Sequence, residues 1–476
     1  MKYIGLLLKR KIYWLIAIVV LPATNNEIQS QENPDPWKQA ETIAGSIPIT
    51  VFKEKYYKIT DFGAVPGGTI KCTESINKAI RQCSENGGGI VLIPKGIYLT
   101  GPLYLKSNVN IFLEEGSILK FSTDPSDYLP LVLTRWEGVD CYNYSPLIYA
   151  YNESNIAITG NGTLDGQANS SNWWPWKGKA DFGGDDSLGN QSNPEGRSRL
   201  MEYNDTETPV EERKFGEGSY LRPPFIQFYQ CRNILLENIE IINSPFWNIH
   251  PLLSENIIIR GVNINSLGPN NDGCDPESSR NILIENCHFN TGDDCIAIKS
   301  GRNNDGRKWN IPSENIVVRN CEMQEGHGGV VIGSEISGGC RNVFVYDCEM
   351  SSPHLDRAIR IKTNASRGGV IENLYVKNLK VGEVKEAVLK INCTYETKSE
   401  EGDYPPLVQN INLKNITSQK SKYPIYLVGL TSNESIRDVF ITHVNFNGVE
   451  KDCRISGVTN LVMKDVFING KIYEPK

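Results

Sequence analysis

The sequence predicts an all-β protein built as a parallel β-helix, and two observations carry that prediction. The first is a seven-residue phrase that recurs at 281–287, 315–321 and 342–348, in which apolar residues alternate with polar or larger ones. The second is that long amphipathic helices are scarce after residue 90. Strands that recur every 20 to 40 residues without intervening helices favour a solenoid over a doubly wound sheet or a strand-helix barrel.

Corresponding side chains of successive coils stack at about the spacing of neighbouring strands, roughly 4.8 Å. The first asparagine of each phrase is therefore expected to form a ladder inside the turns, where amides bond one another and the bent backbone. Weaker copies of the phrase begin at Asn233, Asn256, Asn373 and Asn410. The cysteines that end the three clear phrases are expected to form a second, apolar column.

The start of the repeat carries helix signals. Ile76, Ala79, Ile80 and Cys83 have helical spacing, and the glycines at 87–89 would stop a helix. A solenoid needs its open end covered to stay soluble. We therefore expect a helix over about residues 74–83 that caps the first coil.

The N-terminus has the pattern of an export signal, with four cations before an apolar run at 12–22 that is too short to span a bilayer comfortably. We expect a signal peptide at 1–23 with cleavage between 23 and 31, a linker at 24–50 and a single β-helix domain at 51–476. The protein would be exported to the periplasm or the extracellular space, without stable membrane insertion. An uncleaved anchor is the alternative.

Composition narrows the class further. With 476 residues, 39% of them hydrophobic, the chain can fill one elongated domain, and we expect a monomer. The formal net charge of −7 argues against nucleic acid as a partner. The twelve cysteines lack zinc-ligand spacing, and most are expected to be buried free thiols. Pairing of Cys72 with Cys83, or of Cys340 with Cys348, stays open.

Four short polar clusters punctuate the strands, at 270–273, 292–294, 326–328 and 360–362. They supply three carboxylates, one imidazole and two cations: Asp272, Asp293, Asp294, His327, Arg360 and Lys362. Successive clusters are separated by 21, 34 and 33 residues, about one coil each. These are the groups needed to cleave a glycosidic bond in an acidic sugar.

A segment at about 166–224 breaks the repeat and holds Trp173, Trp174 and Trp176 among polar residues. Such a loop can wall a sugar-binding groove, because aromatic faces stack on pyranose rings. The same tryptophans can equally pack the loop onto the coils. The sequence leaves both interpretations open.

With these features the chain resembles the polygalacturonase family of pectin-degrading glycoside hydrolases, family 28. The resemblance covers about residues 57–465 and rests on the capping signature and on all four polar clusters in order. One departure is Asn271, where the family usually has threonine; the carboxylate of Asp272 stays in place. The resemblance implies a right-handed β-helix, inverting hydrolysis of galacturonic acid linkages, a pectic polysaccharide or oligogalacturonide as substrate, and no cofactor or metal.

The resemblance also implies roles for individual residues. Asp293 matches the general acid, and we expect neighbouring carboxylates to raise its pKa so that it keeps a proton. Asp272 and Asp294 match the carboxylates that activate the attacking water, and the sequence does not say which is the base. His327 matches a histidine that sets the proton of the acid. Asp275 is expected on the opposite strand face from Asp272.

Six residues are expected to bind the substrate. Arg360 and Lys362 are two apart, so they share a strand face and suit the carboxylate of a uronic acid. An acidic protein needs such a local cationic patch to bind an acidic polymer. The others are Asn270, Arg302 and, further along the groove, Trp247 and His250.

The segment at 301–310 inserts directly after the coil that carries Asp293. Similar insertions occur in family members that release units from chain ends, so we expect exo action. A hydrolase or galacturonidase of rhamnogalacturonan is an alternative. Two others are a β-helix pectate lyase, for which no separate calcium-type cluster stands out, and a non-catalytic carbohydrate-binding β-helix, whose function would survive Asp293→Asn.

Overall fold

The computed structural model describes residues 35–185, 187–397, 400–431 and 434–474. From residue 36 onward the chain forms a β-helix whose coils pair through parallel strands. The β-helix is right-handed, the sense that strand twist favours for parallel connections. The predicted all-β solenoid is confirmed, whereas the predicted signal peptide lies outside the described residues.

The strands form three columns of parallel neighbours. The first contains Tyr56–Lys58, Gly89–Ile93, Val109–Leu113, Ser154–Gly160, Arg232–Glu237, Glu255–Arg260, Arg280–Glu285, Ser313–Arg319 and Cys340–Tyr346. The second contains Gly96–Thr100, Ser117–Phe121, Thr163–Asp165, Glu240–Ile242, Asn263–Ser266, His288–Thr291, Glu322–Glu325 and Glu349–Met350. The third contains Leu103–Tyr104, Ile148–Tyr151, Ile226–Tyr229, Ile249–Leu252, Ile296–Ile298, Val330–Gly333, Arg357–Lys362, Ala387–Asn392, Tyr423–Val428 and Arg454–Ser456.

Four long strands continue the first two columns together toward the C-terminus: Val370–Glu383, Leu407–Lys420, Ile436–Phe446 and Val458–Ile468. The short strand Lys471–Ile472 then pairs antiparallel with the last of them. This antiparallel pairing ends the stack of parallel strands at the final coil.

The predicted asparagine ladder is confirmed. The Nδ2 atom of each asparagine donates to Oδ1 of the one in the preceding coil at 2.7–3.1 Å, through positions 155, 233, 256, 281, 315, 342, 373 and 410. All eight have positive φ values of 54–61°. Asparagine tolerates this conformation because its short side-chain amide can form hydrogen bonds with nearby backbone groups. The residue type is thus set by the bend as well as by the ladder.

Inward-facing isoleucine, valine and leucine side chains fill the coils as one continuous core. The Cys321 thiol lies between those of Cys287 and Cys348, which forms the predicted cysteine column. All twelve cysteines are free, and all except Cys453 are buried. The two pairings that the sequence left open therefore do not form.

The capping helix is Thr73–Glu85, which buries Ile76, Ala79, Ile80 and Cys83 against the first coils. Glycines with positive φ follow it, at 87, 88 and 89, and these turn the chain into the strand Gly89–Ile93. The described part of the chain has no helix long and apolar enough to cross a membrane.

The predicted linker at 24–50 contains a second helix, Pro36–Ser46, that packs on the outer face of the first strand column. Ala40 and Ile43 are buried there against outward-facing apolar residues such as Leu283 and Val317. A linker was therefore the wrong description of residues 36–46. The sequence hid this helix because only two of its eleven residues are buried.

Three insertions leave the coils. One is the antiparallel hairpin Val132–Trp136 with Val139–Asn143, which the sequence analysis missed. The segment at 166–225 carries the short helices Trp174–Lys177, Ala180–Phe182, Pro194–Ser198, Arg199–Asp205 and Val210–Glu212. The third is the helix Asn303–Trp309. The remaining short helices, Ile59–Phe62 and Pro125–Tyr128, connect strands near the N-terminal end.

Candidate active site

A pocket of about 320 Å³ lies where the four polar clusters approach one another. Loops that join the second strand column to the third contribute its acids, and the insertions contribute its sides. Seven of the ten predicted site residues line it: Trp247, Asn270, Asp272, Asp293, His327, Arg360 and Lys362. The other three, Asp294, His250 and Arg302, are buried next to the lining.

The loops that carry the acids stack because their backbones bond from coil to coil. The Gly273 amide donates to the Asp294 carbonyl at 2.9 Å. Inside the first loop, Asn271 Oδ1 accepts hydrogen bonds from Ser266 Oγ at 2.7 Å and from the Gly268 amide at 2.9 Å, so this asparagine closes the turn. Carboxylate oxygens of the three predicted acids consequently lie within 4.8 Å of one another.

Asp293 and His327 form a hydrogen-bonded pair in the pocket. His327 Nδ1 lies 2.8 Å from Asp293 Oδ1, and Asn270 Nδ2 lies 3.5 Å from Oδ2. Burial alone would raise the pKa of Asp293, but the hydrogen bond and charge of His327, with Lys362 and Lys299, hold that pKa below its usual value. The same hydrogen bond and the Asp293 charge raise the pKa of His327 to about 9.

The expectation that neighbouring carboxylates raise the pKa of Asp293 is therefore wrong for the free protein. The imidazole is in direct contact with Asp293, and its effect outweighs that of the other acids. At neutral pH the pair holds one acidic proton, and that proton resides on His327.

Asp272 is the acid of the trio whose pKa is raised well above its usual value. Burial is the largest cause, and the charges of Asp275 and Asp293 add to it. Lys299 Nζ lies 3.8 Å from Asp272 and 3.5 Å from Asp275, and it offsets only part of the effect. Asp275 thus faces the same side as Asp272. Strand alternation fails here because residues 271–273 follow a turn and lie outside any strand.

Asp294 is fully buried and has a cationic partner of its own. Lys362 Nζ lies 2.7 Å from its Oδ2 atom, and an Arg360 guanidinium nitrogen lies 3.7 Å from Oδ1. Oδ1 accepts no hydrogen bond from the residues that the structure describes. A Cβ atom on Gly328 would lie 3.3 Å from Oδ1, so the glycine avoids crowding that buried oxygen. Asp294 therefore offers a free acceptor beside the other two acids.

Arg360 and Lys362 form a cationic wall on the C-terminal side of the acids. They extend from the strand Arg357–Lys362 on the same face, as predicted from their spacing. The Tyr395 ring lies beside both, 5.3 Å from the Arg360 guanidinium carbon and 5.5 Å from Lys362 Nζ. A planar guanidinium and an ammonium group in this arrangement suit a sugar carboxylate.

His250 lies beneath the pocket rather than along a groove. Its Nε2 atom is 2.9 Å from Glu277, its Nδ1 atom is 3.0 Å from Gln227, and its ring meets Trp247 edge-on at 4.9 Å. Trp247 does line the pocket, and Lys299 Nζ lies 4.6 Å from its ring centre. His250 therefore supports Trp247 from below.

The Arg302 guanidinium is already surrounded by carboxylates. It lies 3.2 Å from Glu335, 3.4 Å from Glu137 in the hairpin turn and 3.4 Å from Glu396. Arg197 of the long insertion reaches the same Glu137 at 2.7 Å. We call these five side chains the ion-pair wall. They join the hairpin and the long insertion to the loops that carry Arg302, Glu335 and Glu396, at one side of the pocket.

Further contacts fix the helix Asn303–Trp309 against the hairpin. Asp305 accepts hydrogen bonds from Arg213 at 2.6 Å and from the Asp140 amide at 2.8 Å. Trp309 Nε1 donates to Asp140 at 2.6 Å. The segment at 301–310 thus packs behind the hairpin and contributes to the ion-pair wall through Arg302, while none of its residues lines the pocket itself.

The three tryptophans of the long insertion pack it onto the coils. Trp173 is 1% exposed and meets Trp176 at 4.8 Å between ring centres. Trp174 Nε1 donates to the Ser244 carbonyl at 2.9 Å. None of the three lines the pocket, so the packing interpretation is the one that the structure supports.

Sequence analysis missed several residues of the pocket, among them Lys177, Lys299 and Tyr395. Lys299 had a usable signal, because it directly follows the buried strand Ile296–Ile298, two coils before Lys362 in the same column. Lys177 and Tyr395 had none, since both stand in loops outside the repeat.

The three acids are the one group of carboxylates among the described residues that could hold a metal ion. Lys362 and Lys299 approach two of them within 2.7 Å and 3.8 Å. Because these ammonium groups already balance negative charge, the donor set does not require a cation.

Both the sequence and the fold match known proteins. The family "Glycosyl hydrolases family 28" matches residues 211–464, more than half of the chain, with all four polar clusters inside the match. The structure of a hyperthermoactive exopolygalacturonase from Thermotoga maritima superposes with a TM-score of 0.87. The two sequences are 45% identical, over 91% of this chain and 96% of that one.

Curated relatives are more distant. A probable polygalacturonase of Vitis vinifera is 29% identical over 79% of this chain and 71% of its own length. An endo-polygalacturonase of Pectobacterium carotovorum is also 29% identical, over 73% of this chain and 77% of its own length. The similar proteins thus include both an exo-acting and an endo-acting enzyme.

Proposed function

The chain belongs to family 28 of the glycosyl hydrolases, and from that premise we propose that it releases galacturonic acid from the ends of pectic chains by inverting hydrolysis. One observation carries the proposal: three acids within 4.8 Å of one another lie between a uronate-binding cationic wall and a side closed by insertions. The exopolygalacturonase with 45% identity over nearly the whole chain supports the same activity.

We assign the general acid to Asp293, with His327 as the group that stores its proton. In the free enzyme the pair is a carboxylate beside an imidazolium. A bound sugar displaces water from the pocket, and in a drier site a neutral pair is favoured over a charged one. The proton then passes from His327 Nδ1 to Asp293, and Asp293 donates it to the glycosidic oxygen as the bond to the anomeric carbon breaks.

We assign the base to Asp294. Its Oδ1 atom is buried and lacks a hydrogen-bond donor among the described residues, so a water molecule that enters beside it with the substrate would supply that donor and lose its proton to it. Oxygen of that water bonds to the anomeric carbon from the face opposite the leaving oxygen, which inverts the configuration. Lys362, at 2.7 Å, balances the charge of Asp294 before the proton arrives. Asp272, whose pKa is raised by burial and by the charges of Asp275 and Asp293, lies beside Asp294 and can form a hydrogen bond with the same water.

The ion-pair wall argues for exo action. An endo enzyme needs a groove that is open at both ends. Here charged side chains from the hairpin and the long insertion meet beside the acids. The chain end of the substrate would face this wall. For a polymeric substrate we also propose action outside the cytoplasm, as a monomer, in keeping with the export signal that the sequence predicts.

Product analysis on trigalacturonate and on polygalacturonate, with a chelator in the buffer, tests the proposal. We expect saturated monogalacturonate and digalacturonate from the trimer, and monogalacturonate as the first product from the polymer. Early release of longer saturated oligomers would establish endo action. Products that absorb ultraviolet light would indicate a lyase instead.

A further inference from the structure

Lys177 is a cation of the pocket to which the mechanism above gives no role. It ends the short helix Trp174–Lys177 in the long insertion, and its side chain lines the pocket with Asp293 and Glu137. No described carboxylate lies within 4.0 Å of its ammonium group, and no hydrogen bond joins it to a described side chain. An ammonium that faces a polar pocket without a partner is open to an anionic ligand.

The other cations of the pocket each contact a carboxylate. Lys299 lies 3.3 Å from Glu335, Lys362 lies 2.7 Å from Asp294, and Arg197 lies 2.7 Å from Glu137. Arg360 lies 3.7 Å from Asp294, and Arg357 lies 3.0 Å from Asp356. Lys177 therefore differs from its neighbours in having its charge uncompensated at close range.

The insertion holds the backbone at Lys177 in place. Trp173 is buried on the core, and the Trp176 carbonyl accepts a hydrogen bond from the Gln191 amide at 2.8 Å. Gly178 follows with φ of 79°, a left-handed conformation that ends the short helix at Lys177. The tryptophans that pack the insertion onto the coils thus fix the backbone from which this ammonium extends. A fixed backbone reduces the entropy that is lost when the side chain binds an anion.

The order of the coils places Lys177 and the cationic wall on opposite sides of the acids. Trp174, in the same short helix, bonds to Ser244 in the coil that precedes Asp272. Arg360 and Lys362 belong to a later coil than Asp293, through the strand order Ile296–Ile298, Val330–Gly333, Arg357–Lys362. A galacturonide chain that crosses Asp293 along the axis would present one carboxylate to each cationic group.

We propose that Lys177 binds the carboxylate of the terminal galacturonate, the unit on the closed side of the scissile bond, and so restricts the released sugar to a uronic acid. The assignment rests on the proposed exo function and adds the residue that recognises the carboxylate of the released sugar. Burial lowers the pKa of Lys177, and the charges of Glu137 and Asp293 oppose that shift. A sugar carboxylate at this position would raise the pKa of the amine again.

The test compares Lys177→Met with Lys179→Met, because Lys179 is an exposed lysine two residues further along the same insertion. Two substrates are used: digalacturonate, and its analogue in which the nonreducing unit is neutral galactose. We expect Lys177→Met to lower kcat/KM for digalacturonate about 10- to 100-fold, as loss of a charged hydrogen bond predicts, and to leave the neutral analogue unchanged. Lys177→Arg should restore part of the preference.

A second readout does not depend on turnover of the analogue. The inhibition constant of free galacturonate should rise in Lys177→Met by a similar factor, whereas that of galactose should not change. Equal loss on both substrates, or an unaltered inhibition constant, would overturn the assignment while the exo function stands. A wild-type enzyme that releases no galacturonate from digalacturonate would overturn the proposed function and this inference with it.

Discussion

His327 Nδ1 lies 2.8 Å from Asp293 Oδ1, and the two residues belong to loops of adjacent coils. The His327 side chain is 53% exposed, whereas that of Asp293 is 17% exposed, so the imidazole connects a nearly buried acid to solvent. The histidine can take up a proton from water and pass it to a carboxyl group that lies deeper. Reprotonation of the acid after each turnover follows from this geometry.

His327→Gln should lower kcat and move the alkaline limb of the pH–rate profile to lower pH. Glutamine can still bond to Asp293 but cannot store the proton, which His327 holds up to a pKa of about 9. The control is His354→Gln, because the His354 side chain is 73% exposed and contacts Glu325 rather than the acids. An alkaline limb that stays in place in His327→Gln would refute the storage role.

The same pair makes a prediction about stability. His327 has a raised pKa, so its contribution is fully present below its ordinary value of 6.5 and is lost as the pH rises toward about 9. The lowered pKa of Asp293 makes its contribution present above its ordinary value of 3.8 and lost in acid. Denaturant unfolding should therefore show the largest difference between wild type and His327→Gln at about pH 5–6 and a shrinking difference toward pH 9. A difference that grows with pH would contradict the pairing.

Asp294→Asn should reduce kcat more than Asp272→Asn does. Loss of a general base costs roughly 10²- to 10⁴-fold, and asparagine cannot take a proton from water. Asp272, in contrast, only orients the water in this assignment, and the amide of asparagine can replace that hydrogen bond in part, so we expect at least about a tenfold smaller loss there. Single-turnover rates with KM measured alongside would check the ranking. The opposite order would assign the base to Asp272.

Arg360→Ala should lower kcat/KM on galacturonides about 10- to 100-fold, because the substrate carboxylate loses a charged hydrogen bond. Arg341→Ala is the matched control, since Arg341 forms an exposed ion pair with Glu314 away from the pocket. The loss should be confined to substrates with a uronate on the leaving side of the scissile bond. Similar losses on charged and neutral substrates would count against the assigned role.

Arg302→Met should lower the free energy of unfolding by about 1.5–3 kcal/mol, the usual contribution of hydrogen bonds to a charged group. The Arg302 side chain is 8% exposed and lies between Glu137 and Glu335, which would keep only Arg197 and Lys299 as cationic partners. The loosened wall should also admit longer chains, so digalacturonate should appear among the first products from the polymer. Unchanged stability and unchanged products together would show that the wall does not depend on this arginine.

Much of the architecture could be predicted because the repeat records it locally. At each bend the backbone has a left-handed φ, and the side chain bonds to the amide of a neighbouring coil. Asparagine suits both requirements, so an asparagine that recurs in the sequence indicates both. The acids were predictable for the same reason, since each stands at a fixed place after a strand. Spacing within a strand likewise placed Arg360 beside Lys362.

The rest could not be predicted because it depends on contacts between distant segments. Arg302 meets Glu137 across 165 residues, and no local pattern records that pair. The helix Pro36–Ser46 is buried through only a few side chains that meet outward-facing positions of the sheet. The pKa of Asp293 depends on whether His327 or another carboxylate lies nearer, and only the folded coils decide that.

The measurement that tests the central claim most directly is a ¹H NMR time course of trigalacturonate hydrolysis by the wild type and by Asp293→Asn. The account predicts that the wild type first releases the β-anomer of galacturonic acid with digalacturonate, because inversion at an α-linkage yields β, and that Asp293→Asn loses at least about 10²-fold in rate. Initial release of the α-anomer would show retention, the outcome that carboxyl groups about 5 Å apart usually accompany. That result, or an Asp293→Asn variant with wild-type rate, would contradict the account.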